Sequence, residues 1–128
     1  LRRTEFMPFA PVILAEHAVE FFVGYRPDHI AAEYMTMVYD VFPDKVDCCQ
    51  AVVHVDNTAR PQVISRPVNE YYYDILHEYY KISGIPILVN TSFNMHEEPM
   101  VYTPEDAIRS YQSGAVDVLV LGRCIIGA

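Results

Sequence analysis

Positively charged residues are scarce in this chain. It has 9 Lys and Arg against 17 Asp and Glu, which gives a formal net charge of −8 at pH 7. Nucleic-acid binding depends on clustered Lys and Arg that replace the counterions of the phosphate backbone. The composition therefore argues against general affinity for nucleic acid, and it makes each cation of the chain stand out.

Long hydrophobic runs and metal-ligand spacings are missing as well. No apolar run approaches the ~20 residues of a membrane span, and nothing resembles a signal peptide. Cys48, Cys49 and Cys124 form neither a C-x-x-C pair nor a zinc-binding pattern. We therefore expect a cytoplasmic protein without membrane contact, whose thiols are reduced and partly buried.

The remaining composition is typical of a folded domain. A chain of 128 residues with 52% hydrophobic and 20% charged residues provides for a single domain, residues 1–128, with a modest core. Helical and extended patterns alternate without repeats, which predicts an α/β or α+β fold in which helices flank a mixed twisted sheet. Because the first residue is Leu1 and a motif follows almost at once, we expect the C-terminal portion of a longer protein.

The spacing of apolar residues, together with helix-capping and turn residues, predicts the individual helices and strands. Helices are predicted at 15–22, at 69–83 with Gly84 as the stop, and from an N-cap at Thr103 to about 113–114. Strands are predicted at 34–39, 50–55, 85–89 and 116–121. The second helix is expected to bury one apolar face, consisting of Tyr72, Ile75, Leu76, Tyr79 and Ile82.

Small polar residues follow the predicted buried strand at 85–89. In open α/β sheets, ligands bind where strands end, and amide and hydroxyl groups suit a polyanion or a carbamoyl group better than a metal. The alternative is a turn in which these side chains satisfy their own backbone. The candidate residues are Asn90, Thr91, Ser92 and Asn94.

A second candidate segment lies at 54–60. Alternation in an extended segment would point His54 and Asp56 to one side, which could start a metal site, but no third ligand is evident and we predict no metal site. Asn57 suits a left-handed turn. Arg60 beyond it could grip a phosphate, or it could be a surface cation paired with a carboxylate.

Four motifs in order resemble the C-terminal region of O-carbamoyltransferases of the NodU/CmcH type, which make carbamoylated nodulation factors and antibiotics. They are PFAP at 8–11, VVHVDNTARPQ at 52–62, G-x-P followed by NTSFN at 84–94, and EPMVYTPEDA at 98–107. The resemblance covers the chain from about Arg3 to Ile126.

This resemblance implies a partial YrdC-like domain that binds ATP, with its Mg²⁺, and carbamoyl phosphate, and forms carbamoyl adenylate. A separate N-terminal domain, which carries its own metal, would transfer the carbamoyl group to an acceptor hydroxyl. Arg3 and Arg60 would neutralise developing charge. The residues implied to bind substrate or nucleotide are His54, Asp56, Thr58, Asn90, Thr91, Ser92 and Asn94.

The chain departs from the family pattern at charged and glycine positions. Leu1 and Met7 replace a lysine and an arginine, and Asn57 and Glu97 replace glycines. Phosphoryl transfer depends on positioned positive charge. We therefore expect an enzyme whose isolated 128-residue portion is inactive, and the alternative is a non-catalytic nucleotide-binding or interaction domain built on the same scaffold.

Overall fold

The computed structural model describes residues 9–95 and 98–127. They form two compact units, one within residues 9–91 and one within residues 92–127.

The larger unit contains β1 (Ala10–Leu14), α1 (Ala18–Phe21), β2 (Tyr39–Asp40), β3 (Thr58–Ala59), β4 (Gln62–Ile64), α2 (Glu70–Ser83) and β5 (Ile87–Asn90). The smaller unit contains α3 (Pro104–Gln112), β6 (Leu119–Leu121) and β7 (Cys124–Ile126). Short 3-10 helices cover Ala15–His17, Ile30–Tyr34, Val46–Cys48 and Gln50–Val52. These helices and open sheets confirm the predicted α+β class.

A mixed three-stranded sheet with the order β4-β1-β5 forms the centre of the larger unit. β1 runs parallel to β4, with Val12 opposite Gln62, and antiparallel to β5, with Ala10 opposite Asn90. All of β1 is buried, as expected for a central strand covered on both faces. The end of β5 therefore lies beside the beginnings of β1 and β4.

The two faces of this sheet pack into separate hydrophobic clusters. Val12 and Leu14 point to α2 and contact the fully buried Leu76. Ile13 points the other way, into a cluster with Phe22 and Ala59 that α1 and β3 help to build. The alternation along β1 follows from the two-residue period of a strand.

Helix α2 confirms its predicted limits but not its predicted face. The Asn69 side chain accepts a hydrogen bond from the Tyr72 backbone at 3.2 Å, and Gly84 ends the helix with a φ of 72°. Leu76 is buried together with half-buried tyrosines, whereas Ile75 is 56% and Ile82 86% exposed. The helix is thus rotated relative to the prediction, because a pattern with apolar residues on more than one face does not fix which face packs.

Three of the strand predictions were wrong in whole or in part. Residues 34–38 form the end of a 3-10 helix and a loop, so that only residue 39 of the predicted strand belongs to β2, and residues 50–52 are helical instead of extended. Residues 116–121 contribute only the three residues of β6. Aromatic and branched side chains fit any half-buried surface, so they favour a strand only where a partner strand is present.

The smaller unit begins with a loop that leads into α3. Thr103 caps the helix: its side chain accepts from the Asp106 N–H, and the Asp106 carboxylate accepts from the Thr103 N–H, both at 3.1 Å. This capping box confirms the predicted helix start. β6 and β7 pair as an antiparallel hairpin. Within residues 9–95 and 98–127, no helix is long and apolar enough to cross a membrane.

Candidate functional site

A tight turn at residues 54–58 replaces the predicted strand. The Asn57 N–H donates to the His54 carbonyl at 2.9 Å, and the His54 N–H donates to the Thr58 carbonyl at 2.7 Å. Asn57 has a φ of 63°, which confirms the predicted left-handed conformation. The carbonyl of Asn57 also accepts from the Val41 N–H at 2.9 Å, so the turn is fixed to the chain beyond β2.

The turn brings three predicted site residues into direct contact. The Thr58 hydroxyl lies 2.7 Å from Oδ1 of Asp56 and 2.9 Å from Nδ1 of His54, and the Thr58 backbone N–H donates to the same Oδ1 at 3.1 Å. The Thr58 hydroxyl, and after it the Thr58 N–H, hold the pKa of Asp56 below its usual value. The contact between these residues arises from a turn and not from the strand alternation that was predicted, and their role in binding stays a prediction.

Arg60 lies on the outward side of the segment that follows this turn. Ala59 and Pro61 are buried, whereas Thr58 is half-buried and Arg60 is exposed. This alternation indicates that the side chains of Thr58 and Arg60 point to the same side. The guanidinium of Arg60 is therefore presented on the same surface as the Thr58 contacts.

Arg60 also differs from most cations of the described residues in that it has no carboxylate partner among them. Within the described residues, the following Lys and Arg side chains form ion pairs: Arg26, Lys45, Arg66, Lys81 and Arg109. Arg60 and Arg123 form none in this part of the chain. Within residues 9–95 and 98–127, the interpretation of Arg60 as a paired surface cation is thus not supported, and no carboxylate of that part competes with an anion for its donors.

The end of β5 is connected to the same segment. The Asn90 side-chain amide donates to Oε1 of Gln62 at 2.7 Å, and Gln62 follows Arg60 by two residues. The Asn90 side chain therefore connects the end of β5 to the beginning of β4, across the central strand β1. β5 stands at the edge of the described sheet and buries Ile87 but leaves Val89 47% exposed, so the predicted buried strand is only partly buried.

Asn94 and Ser92 belong to the smaller unit. The Asn94 amide nitrogen donates to the carbonyls of Met95 at 3.0 Å and Glu98 at 2.9 Å, and the Val101 N–H donates to the Phe93 carbonyl at 2.9 Å. Asn94 thus closes its own loop, as the turn alternative expects, and leaves only its oxygen to accept. Ser92 is exposed and forms no hydrogen bond within the described part of the chain.

Two further predictions are not resolved by these contacts. Arg3, with Leu1, Met7 and Glu97, lies outside the described residues. Thr91 is exposed at the end of the larger unit. Convergence of Arg60 with Ser92 and Asn94 stays a prediction, since these residues belong to different units.

Comparison with known proteins shows the family to which this chain belongs. The model of the family described as carbamoyltransferase C-terminus matches residues 1–127. This chain belongs to the carbamoyltransferase C-terminus family.

Relatives of the chain include nodulation proteins. It is 40% identical over 126 residues to nodulation protein NolNO of Sinorhizobium fredii, which covers 98% of this chain and 18% of the relative. It is 40% identical over 94 residues to nodulation protein U of Rhizobium tropici, covering 73% and 16%. Protein MJ1051 of Methanocaldococcus jannaschii is 38% identical over 126 residues, covering 98% and 24%. The carbamoyltransferase C-terminus therefore spans about a quarter or less of these relatives.

Two residues of this carbamoyltransferase C-terminus were not singled out by the sequence. Gln62 ends the motif at 52–62, and only its contact with Asn90 shows why a polar side chain stands at the start of β4. Arg123 lies in the turn between β6 and β7, without a carboxylate partner in the described ranges. The sequence signal for Arg123 is its distance from acidic residues, since the segment 118–128 contains no Asp or Glu.

Proposed function

We propose that this chain is the part of an ATP-dependent O-carbamoyltransferase that binds ATP and carbamoyl phosphate and forms carbamoyl adenylate. The observation that carries the proposal is the exposed Arg60 guanidinium, which has no carboxylate partner among the described residues and follows the His54–Thr58–Asp56 contacts by two residues, in a chain of the carbamoyltransferase C-terminus family. Cations of an acidic protein ordinarily find carboxylates. One that does not is suited to a phosphate, which a guanidinium binds through paired hydrogen bonds.

The reaction can be written with all atoms in balance. Water cleaves carbamoyl phosphate to carbamate and inorganic phosphate. A carbamate oxygen then attacks the α-phosphorus of ATP, and pyrophosphate leaves. An acceptor hydroxyl attacks the carbamoyl carbon of the resulting adenylate, loses its proton and displaces AMP.

The residues of this chain would act by positioning and by electrostatics, which dominate phosphoryl transfer. Arg60, with Arg3, would neutralise charge on the phosphates. The Ser92 hydroxyl, which forms no hydrogen bond to a described residue, could bind a phosphate oxygen, and the Asn94 oxygen could accept from an amide. Mg²⁺ would be held mainly by phosphate oxygens and water.

The remaining elements of the proposal lie outside this chain. We infer that a separate N-terminal domain of the same protein, with its own metal, binds the acceptor, because the relatives are at least four times as long as the part they share with this chain. The free thiols of Cys48, Cys49 and Cys124 fit a cytoplasmic, reducing setting.

The test is incubation of the full-length protein with ATP and carbamoyl phosphate, with pyrophosphate and AMP as readouts. We expect pyrophosphate release that depends on carbamoyl phosphate, and AMP in proportion once an acceptor is added. Omission of carbamoyl phosphate is the control. Binding of both ligands without pyrophosphate release would contradict the proposed reaction and support the non-catalytic alternative.

A further inference from the structure

The Thr58 hydroxyl determines which nitrogen of His54 carries a proton. Its oxygen lies within hydrogen-bond distance of both Oδ1 of Asp56, at 2.7 Å, and Nδ1 of His54, at 2.9 Å. A hydroxyl has one proton to donate, and an ionised carboxylate only accepts. The Thr58 proton therefore goes to Asp56, and Nδ1 of His54 must donate the second bond. Neutral His54 is left with a bare lone pair on Nε2.

The surroundings leave this lone pair available. Nε2 of His54 has no hydrogen-bond partner among residues 9–95 and 98–127. The imidazole is half-buried, and the turn that carries it is bonded to Thr58 and Val41. A fixed, unoccupied acceptor of this kind is suited to orient a ligand.

A lone-pair acceptor needs a donor on the ligand. Ionised phosphate oxygens are acceptors themselves, so Nε2 does not serve as a second phosphate contact. Carbamoyl phosphate has one donor group, its NH₂, at the end opposite its phosphate. The burial alternation at 58–61 indicates that Thr58, which holds His54, and Arg60 face the same side of the chain, with Cα atoms about 6.6 Å apart at the rise of an extended segment. A cation and a neutral acceptor within one short segment are suited to bind the two ends of one small molecule.

We propose that His54 is the residue that selects the carbamoyl group, with Nε2 accepting a hydrogen bond from the carbamoyl NH₂ and with Thr58 and Asp56 as positioning residues that hold its tautomer. This proposal rests on the proposed function. It assigns His54 a task separate from charge neutralisation, and it gives a reason for the hydroxyl and the carboxylate that support the imidazole.

The experiment compares carbamoyl phosphate with acetyl phosphate, in which a methyl group replaces the NH₂. Calorimetry on the full-length protein should show tighter binding of carbamoyl phosphate. His54→Asn keeps a donor for Thr58 but lacks Nε2, so it should weaken carbamoyl phosphate about three- to tenfold, the value of one neutral hydrogen bond, and leave acetyl phosphate unchanged. His29→Ala is the matched control, because His29 contacts Tyr39 in the same unit and should not alter the ratio.

A second measurement keeps the proposal testable if His54→Asn folds poorly. Nitrogen-15 NMR of the histidine side chains should show His54 protonated on Nδ1 in the neutral form. Thr58→Val, which preserves shape but removes the hydroxyl, should shift His54 toward the other tautomer and reduce the preference for carbamoyl phosphate.

The outcomes separate this inference from the proposed function. If the wild-type protein binds no carbamoyl phosphate, the proposed function fails. If it binds carbamoyl and acetyl phosphate equally, or if His54→Asn weakens both alike or weakens only ATP, carbamoyl selection by His54 is wrong while the proposed function stands. A proton on Nε2 of neutral His54 would overturn the tautomer argument.

Discussion

Arg60 is the single residue on which the binding proposal depends most. Its guanidinium is exposed and, in the described part of the chain, has no carboxylate to compete with an anion. A charge-assisted hydrogen bond contributes about 1.5–3 kcal/mol, whereas a neutral hydroxyl bond contributes about 0.5–1.5 kcal/mol. We therefore expect removal of a charged contact to weaken ligand binding more than removal of a neutral hydroxyl contact.

We expect Arg60→Ala to weaken binding of ATP or carbamoyl phosphate to the full-length protein about ten- to a hundredfold, and Ser92→Ala to weaken it less. Calorimetric titration with each ligand measures both. Arg26→Ala is the control, since Arg26 is an exposed arginine of the same unit that is already paired with Asp28. Equal affinities in Arg60→Ala and Arg26→Ala would contradict the assignment of Arg60.

Asn57 controls the turn that carries the candidate site. At a φ of 63° a β-branched side chain meets its own backbone, at a cost of about 1–2 kcal/mol, while glycine has no such penalty. We therefore expect Asn57→Val to lower the free energy of unfolding by about that amount and Asn57→Gly to leave it nearly unchanged. Urea unfolding checks this. Similar stability for the two variants would show that the turn does not require a left-handed residue.

At the scale of elements, α2 shows which interactions bury a helix face. Leu76 is fully buried against β1, whereas Ile75, its neighbour, is 56% exposed. We expect Leu76→Ala to destabilise the protein by about 2–5 kcal/mol, because it removes buried methyl groups and leaves a cavity. Ile75→Ala should change stability by only about 0.5 kcal/mol. Thermal or urea unfolding of the two variants tests the observed rotation, and equal losses would favour the face predicted from periodicity.

The helices were easier to predict than the strands, for a physical reason. A helix end is marked by local chemistry, such as the Asn69 and Thr103 caps and Gly84, so its limits follow from neighbouring residues. Strands such as β2 and β4 have only two or three residues and exist because distant segments pair with them. Residues 50–55 have a strand-like composition but no partner strand, and a 3-10 helix forms at 50–52 instead.

At the scale of the whole molecule, local spacing was enough to predict that His54, Asp56 and Thr58 lie close together, but not how they do so. The motif at 52–62 is short enough for a turn to bring these three side chains into contact, whereas their role as a site stays a prediction. The rule about strand ends assumes parallel strands, but β5 is antiparallel to β1 and its Asn90 contacts Gln62 at the beginning of β4. Strand direction depends on long-range pairing, which local patterns do not specify.

The response of stability to high pH is another property of the molecule as a whole. The Tyr73 hydroxyl of α2 donates to the Glu16 carboxylate at 2.5 Å, which joins two segments 57 residues apart and raises the pKa of Tyr73 to about 12. The folded protein therefore keeps this proton at a pH where the unfolded chain, with a tyrosine pKa near 10, has lost it. The contribution of this contact to stability is present in full below about pH 10 and is lost as the pH rises toward 12.

We accordingly expect the urea midpoint of unfolding to fall between pH 10 and 12, and Tyr73→Phe to make that fall less steep. Some slope will remain in the variant, because burial also raises the pKa of the Cys49 thiol to about 12. Tyr71→Phe is the matched control, since Tyr71 is 86% exposed on the same helix. If Tyr73→Phe and Tyr71→Phe keep the same pH dependence as the wild-type protein, the contact between Tyr73 and Glu16 does not couple this helix to the 3-10 helix that follows β1. A flatter profile in Tyr73→Phe alone would show that a single surface hydrogen bond helps set the alkaline limit of the fold.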